Sequence, residues 1–154
     1  MKRYWLVKSE PDVYGISQLK RDVRTQWTGV RNYQARNLLM EMKTGELVIF
    51  YHSNAKPPAA VGVAKVFKEA YPDSSQFERR SEYFDPKSTS DKPRWFAPDL
   101  EFVSSFVTPV ALESMRSVKG LAKLPLLQRG SRLSVNPVTE SEFNIILKLG
   151  CVSI

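Results

Sequence analysis

The sequence contains one cysteine and one histidine, and this scarcity limits the chemistry that the chain can perform. Cys151 has no partner cysteine, so a disulfide within the chain and a cluster of thiolate metal ligands are both excluded. His52 is also alone, which excludes a zinc or iron site built on a histidine pair. We therefore predict that the chain has no metal site and works inside the cell, in the cytoplasm or the nucleus.

Glycine is also scarce, with seven residues scattered along the chain. Neither of the glycine-rich phosphate-binding patterns, GxGxxG and GxxxxGK[ST], occurs in the sequence, so nothing supports a nucleotide cofactor. The nucleophile-elbow pattern GxSxG is absent as well. We predict no cofactor and no catalytic residues.

Long hydrophobic runs are missing, and no stretch approaches the roughly 20 apolar residues that a membrane-spanning helix needs. Hydrophobic residues make up 42% of the chain and charged residues 25%, which is ordinary for a globular protein. With 154 residues the chain has the size of one domain. Residues 1–154 are therefore expected to form a single domain that does not bind membranes, and we expect a monomer.

Acidic residues are outnumbered: the chain has 23 lysines and arginines and 16 acidic residues, which gives a net charge of +7. Residues 1–37 hold eight of the basic residues and only three of the acids, so five of the excess charges lie in this first quarter. A basic surface of this kind favours a nucleic acid as partner. It is equally typical of a solvated surface that keeps a protein soluble.

The pattern of hydrophobic residues predicts a mixed α/β (α+β) domain. Strands are expected over 3–8, 46–53, 61–67, 94–106 and 132–138, with Pro98 marking an edge or a bulge. Helices are expected after Ser17, after Asn32, over 110–115 and after Thr139, which begins a capping box with Glu142. Because the strands do not alternate with long helices, we predict one curved or barrel-like sheet with helices around it.

Aromatic side chains lie near basic and amide side chains at several predicted turns, a combination suited to nucleic-acid bases. A base taken out of a strand gains about 1–3 kcal/mol by stacking on an aromatic ring. Trp5 and Trp95 fall in predicted strands and are expected in the core. Trp27 lies between Gln26 and Thr28 in a segment without helix or strand periodicity, so we assign it to a binding pocket.

Several ordered motifs resemble those of the EVE domain family and cover nearly the whole chain. They are the segments 4–11 (YWLVKSEP), 27–37 (WTGVRNYQARN), 50–54 (FYHSN), 83–87 (YFDPK), 93–95 (PRW), 125–127 (PLL) and 132–135 (RLSV). The resemblance implies a PUA-like fold, a small bent β-barrel of about five to six strands with surrounding helices. It also implies kinship with the YTH readers of methylated adenine in RNA.

The resemblance implies a nucleic-acid-binding module that reads a modified base in an aromatic pocket, either a 5-substituted cytosine in DNA or a modified RNA base. By analogy with the related readers, Lys8 and Ser9, with Glu10 beside them, line the pocket edge, Trp27 forms an aromatic wall and Asn32 binds the base edge. Further members of the implied site are the base-binding residues Tyr51, His52 and Ser53 and the phosphate-binding residues Arg31 and Arg129.

Two other functions compete with a base reader. A metal-independent nuclease would use Lys8, Glu10 and His52 for hydrolysis of a phosphodiester. A protein-interaction adaptor would present the basic first quarter to an acidic partner.

Overall fold

The computed structural model describes residues 2–154, which form one six-stranded sheet with helices on both of its faces. The strands are β1 (Tyr4–Ser9), β2 (Arg24–Gln26), β3 (Leu47–His52), β4 (Ala59–Pro72), β5 (Phe96–Ala111) and β6 (Val135–Val138). The helices are α1 (Pro11–Tyr14), α2 (Ile16–Asp22), α3 (Tyr33–Glu41), α4 (Leu112–Arg116) and α5 (Glu140–Leu149). Short 3₁₀ turns lie at Ser74–Phe77, Lys119–Leu121 and Pro125–Leu127.

The strand order across the sheet is β2-β5-β4-β3-β1-β6. Strands β1 and β3 run parallel, and the other four neighbouring pairs are antiparallel. Within residues 2–154 no hydrogen-bonded ladder joins β2 to β6, so the sheet is open at these edges, and register shifts interrupt the β3–β4 and β4–β5 ladders. The predicted α+β class with about six strands is confirmed, and the sheet is less closed than a complete barrel.

Side chains alternate between the two faces of the sheet, and each face has its own hydrophobic core. Trp5 and Val7 join the buried cluster under α3, whereas Leu6 joins the cluster under α5. We call these two sides the α3 face and the α5 face. Because successive strand residues point to opposite faces, neighbouring residues at the end of a strand lie on opposite sides of the sheet.

The sequence predicted most elements, and the differences have local causes. Strand β2 falls in a segment predicted to be irregular. It has three residues, which pair with β5, and three residues are too few to show an alternating hydrophobic pattern. Val110 and Ala111 continue β5 rather than beginning a helix, because they pair with Ala60 and Ala59. The predicted irregularity at Pro98 is confirmed, since the β4–β5 register shifts beside it between Lys68 and Tyr71.

No helix in the part of the chain described here has the length and apolar character that crossing a bilayer requires.

Candidate nucleic-acid interface

A cavity of about 690 Å³ opens beside the carboxyl ends of β1 and β3, on the α3 face. We call it the tryptophan cavity. It is lined by Lys8, Ser9, Glu10, Val13, Tyr14, Thr25, Gln26, Trp27, Thr28, Gly29, Val30, Arg31, Ser53, Tyr83, Arg132 and Ser134. Six of the ten side chains expected at the binding site therefore meet here: Lys8, Ser9, Glu10, Trp27, Arg31 and Ser53.

Trp27 is held firmly although it lines the cavity. The residue is 7% exposed, and its ring packs edge-on against Phe50 and Tyr14, with ring centroids 5.4 Å and 6.3 Å away. The other two tryptophans donate their indole N–H to carboxylates, Trp5 to Glu46 at 2.9 Å and Trp95 to Asp85 at 2.7 Å. Among the described residues the indole nitrogen of Trp27 has no hydrogen-bond partner, and it is not fully buried. Trp27 thus offers the cavity both an aromatic surface and a donor.

Asp73 organises the cavity wall from behind. It is 1% exposed and accepts hydrogen bonds from Gly29 N at 2.9 Å, from Arg31 Nη1 at 3.0 Å and from the backbone and hydroxyl of Ser75. Burial raises the pKa of the Asp73 carboxyl, but these hydrogen bonds outweigh burial and hold it below its usual value of 3.8. The carboxylate is therefore ionised and fixes the turn that follows Trp27.

Gly29 belongs to the same wall and adopts φ of +91°, a conformation that favours glycine. A Cβ at this position would lie 2.8 Å from the ring of Tyr83. The absence of a side chain thus lets the Tyr83 ring close against the turn and border the cavity.

Arg31 has its donors occupied inside the protein. It makes five hydrogen bonds of 2.7 to 3.0 Å, to the carbonyls of Val30 and Tyr83, to Asp73 and to Ser75. Its guanidinium therefore joins the turn after Trp27 to the segments around Asp73 and Tyr83. The structure places Arg31 in the cavity wall, where it stabilises the loops rather than presenting free donors to a phosphate.

Four predicted site residues lie outside the tryptophan cavity. The Asn32 side chain caps α3, where Oδ1 accepts from Ala35 N at 2.9 Å. His52 accepts from Ile16 N at 3.1 Å and packs edge-on against Phe50. Tyr51 and Arg129 line a second cavity on the α5 face. The family resemblance implied a binding role for all four without indicating the direction in which each side chain points.

Sequence reasoning also missed part of the lining, namely Tyr14, Tyr83, Arg132 and Ser134. Tyr83 and the pair Arg132 and Ser134 occur in motifs of the family resemblance, so a signal for them was present. Tyr14 gave no such signal, because its position depends on α1. Its hydroxyl donates to Asp22 at 2.8 Å, and burial together with this carboxylate raises the Tyr14 pKa to about 12.

His52 is a neutral structural acceptor. Burial lowers the pKa of its imidazole below the usual 6.5, and the hydrogen bond from Ile16 N requires an unprotonated Nε2. The folded state therefore resists protonation of His52, so its contribution to stability is complete above pH 6.5 and falls as the pH drops below that value.

We expect the urea concentration at the midpoint of unfolding to decrease when the pH is lowered from 7.5 to 5.5. His52 is the only histidine in the chain, so it is the side chain expected to titrate in this interval. A His52→Gln variant keeps an acceptor at this position but does not titrate, so its midpoint should change less over the same interval. Equal losses in the two proteins would assign the acid sensitivity to other groups.

Comparison with known proteins places the chain in a family. The EVE domain model matches residues 3–149. Thymocyte nuclear protein 1 from Homo sapiens is 40% identical over 167 residues, which cover 97% of this chain and 74% of the human protein. A crystal structure of a protein from Pseudomonas putida has a TM-score of 0.92 at 44% identity, over 96% of this chain and 99% of that one.

The crystal structure of human THYN1 protein in complex with 5-methylcytosine-containing DNA has a TM-score of 0.91 at 39% identity. The alignment covers 99% of this chain and all of that one. The family model, the sequence identity and the fold thus agree along nearly the whole length, and the chain belongs to the EVE domain family.

Proposed function

We propose that this protein is a nucleic-acid-binding module that takes one modified base into the tryptophan cavity. The observation that carries the proposal is Trp27, which lines a cavity of about 690 Å³ and whose indole N–H has no hydrogen-bond partner among the described residues. Pockets for single small ligands typically measure about 300–1,000 Å³. One base fits this range together with the polar groups that orient it.

A 5-substituted cytosine in DNA is the base class that we favour. The human relative described above was crystallised with 5-methylcytosine-containing DNA. In this chain Val13 and Val30 provide apolar surface for a methyl group, and Ser9, Glu10 and Ser53 provide polar groups for the base edge. A modified base in RNA is the alternative substrate, and the binding experiment below compares DNA with RNA.

The energies of such a site are balanced closely enough to permit selectivity. Removing a base from a duplex costs a few kcal/mol, and stacking on one aromatic ring returns about 1–3 kcal/mol. Burying one methyl group contributes about 0.8 kcal/mol, which corresponds to about a fourfold preference. Hydrogen bonds to the base edge add to the favourable contributions of stacking and methyl burial.

We therefore expect at least about fourfold tighter binding to DNA containing 5-methylcytosine than to unmodified DNA. The measurement is fluorescence anisotropy with matched single- and double-stranded oligonucleotides that carry cytosine, 5-methylcytosine, 5-hydroxymethylcytosine or methylated adenine, as DNA and as RNA. Equal affinities across the set would leave a basic nucleic-acid surface without base recognition and would contradict the proposal.

Binding without turnover is part of the same proposal. A nuclease built on Lys8, Glu10 and His52 is disfavoured because His52 lies outside the cavity and its Nε2 already accepts from Ile16 N at 3.1 Å. No oligonucleotide should be cleaved in the binding assays. We further propose that residues 1–154 act as one EVE domain, as a monomer inside the cell, where nucleic acids are available.

A further inference from the structure

A second cavity, of about 480 Å³, lies next to the first on the α5 face. We call it the tyrosine cavity. Lys8 and Ser53 line both cavities, so the two meet at the carboxyl ends of β1 and β3. The register explains this arrangement, because Lys8 pairs with Tyr51 and Ser9 pairs with His52. Alternation then sends Tyr51 to the α5 face and Ser9 to the α3 face.

The lining of the tyrosine cavity is cationic. It contains Lys8, Arg116 and Arg129, and no carboxylate is found among its described residues. Arg116 is partly engaged by Glu113 at 3.6 Å and by the carbonyl of Leu127 at 3.4 Å. Within the described residues, Lys8 and Arg129 form no ion pair and no side-chain hydrogen bond. An anion is therefore the ligand that this cavity fits electrostatically.

Tyr51 supplies a donor to the same cavity. It is only 3% exposed and its ring belongs to the core under α5, while its hydroxyl has no hydrogen-bond partner among the described residues and is not fully buried. The hydroxyl is therefore available to donate to a ligand. The hydroxyl borders the tyrosine cavity, where a bound oxygen would accept its hydrogen bond.

Lys8 is in a comparable position, because burial lowers the pKa of its ammonium below the usual 10.5 and no counter-ion compensates for this within the described residues. An anion in the tyrosine cavity would supply the missing charge. The same side chain borders the tryptophan cavity, so a ligand held by Lys8 lies close to a base stacked on Trp27.

We propose that the tyrosine cavity binds a backbone phosphate next to the base held in the tryptophan cavity, with Lys8, Tyr51 and Arg129 as donors. This inference rests on the proposed function, since the phosphate belongs to the strand being read. The strand crosses the edge of the sheet at the ends of β1 and β3, with the base on the α3 face and the phosphate on the α5 face.

The test replaces single phosphates on either side of 5-methylcytosine with uncharged methylphosphonate and measures binding to the full chain by anisotropy. One such replacement should weaken binding of the unmodified protein about tenfold, as expected for loss of hydrogen bonds to a charged group. Tyr51→Phe and Arg129→Gln should each weaken binding to the parent oligonucleotide. Each variant should also be less sensitive to that one replacement, because its phosphate contact is already lost.

Tyr4→Phe is the matched control. Tyr4 also packs against the core under α5 but lines neither cavity, so its variant should bind like the unmodified protein. Equal sensitivity to methylphosphonate in the unmodified, Tyr51→Phe and Arg129→Gln proteins would overturn the phosphate site.

The outcomes separate this inference from the proposed function. If the coupled losses occur without any preference for 5-methylcytosine, the phosphate site stands and base reading fails. A preference for the modified base without coupled losses gives the reverse conclusion. A second experiment titrates inorganic phosphate into the protein and observes the Tyr51 ring signals by NMR. If phosphate shifts these signals while DNA does not bind, the cavity binds a free phosphate compound and the proposal of a backbone phosphate is wrong.

Discussion

Replacing Asp73 with alanine is expected to lower the free energy of unfolding by about 3–5 kcal/mol. The change removes the acceptor of Gly29 N, Arg31 and Ser75 and leaves the guanidinium of Arg31 half-buried without its counter-ion. Urea unfolding at pH 7 measures the loss. Because the same contacts form the wall behind Trp27, the variant should also bind modified DNA more weakly than its remaining folded fraction alone would explain.

Asp91→Ala is the control for this prediction, since Asp91 is exposed and makes no ion pair in the described part of the chain. Its stability should stay within about 0.5 kcal/mol of the unmodified protein, as is usual for surface substitutions. If Asp73→Ala were as mild as Asp91→Ala, the buried carboxylate would not hold the wall.

Replacing Trp27 with leucine should cost about 1–3 kcal/mol of binding free energy, which is about a fivefold to 150-fold loss of affinity for DNA containing 5-methylcytosine. Leucine is apolar and fills much of the space of the indole, but it offers neither an aromatic face nor an N–H donor. Alanine is a poorer choice, because Trp27 is also part of the core and truncation to alanine typically costs about 3–5 kcal/mol of stability.

Trp5→Leu separates stacking from stability. Trp5 belongs to the same buried cluster as Trp27 but lines neither cavity. Both variants should be destabilised, and both should be assayed at a temperature where circular dichroism shows them folded. Only Trp27→Leu should lose affinity for the modified base. Similar losses in both would assign the effect to general loosening of the core, whereas normal binding by Trp27→Leu would remove Trp27 from the site.

The fold was predictable to the extent that local patterns determine it. A continuous apolar run marked β3, and alternation marked β4. The pairing of Thr139 with Glu142 marked the beginning of α5, where both capping hydrogen bonds form. The length of β5 was not predictable, because the sequence around Val110 and Ala111 is compatible with either a helix or a strand. Their pairing with β4 makes them part of the strand. Long-range pairing carries no signal in a short window of sequence.

The candidate site was predictable in position but not in orientation. The motif 50–54 was correctly expected beside 8–10, since β1 and β3 are neighbours. Tyr51, His52 and Ser53 were nevertheless assigned to one pocket, although consecutive strand residues alternate between faces. The phosphate-binding role of Arg31 was implied by the family resemblance, and its partners Asp73 and Tyr83 lie more than forty positions away in the sequence.

The five hydrogen bonds of Arg31 have a kinetic meaning for recognition. They join three separate segments of the cavity wall before any ligand arrives, so little conformational entropy is left to lose when a base enters. A preorganised wall needs no slow closure, and the rate of association is then set by encounter and by extrusion of the base from its strand. Differences in affinity among bases should consequently appear mainly in the rate of dissociation.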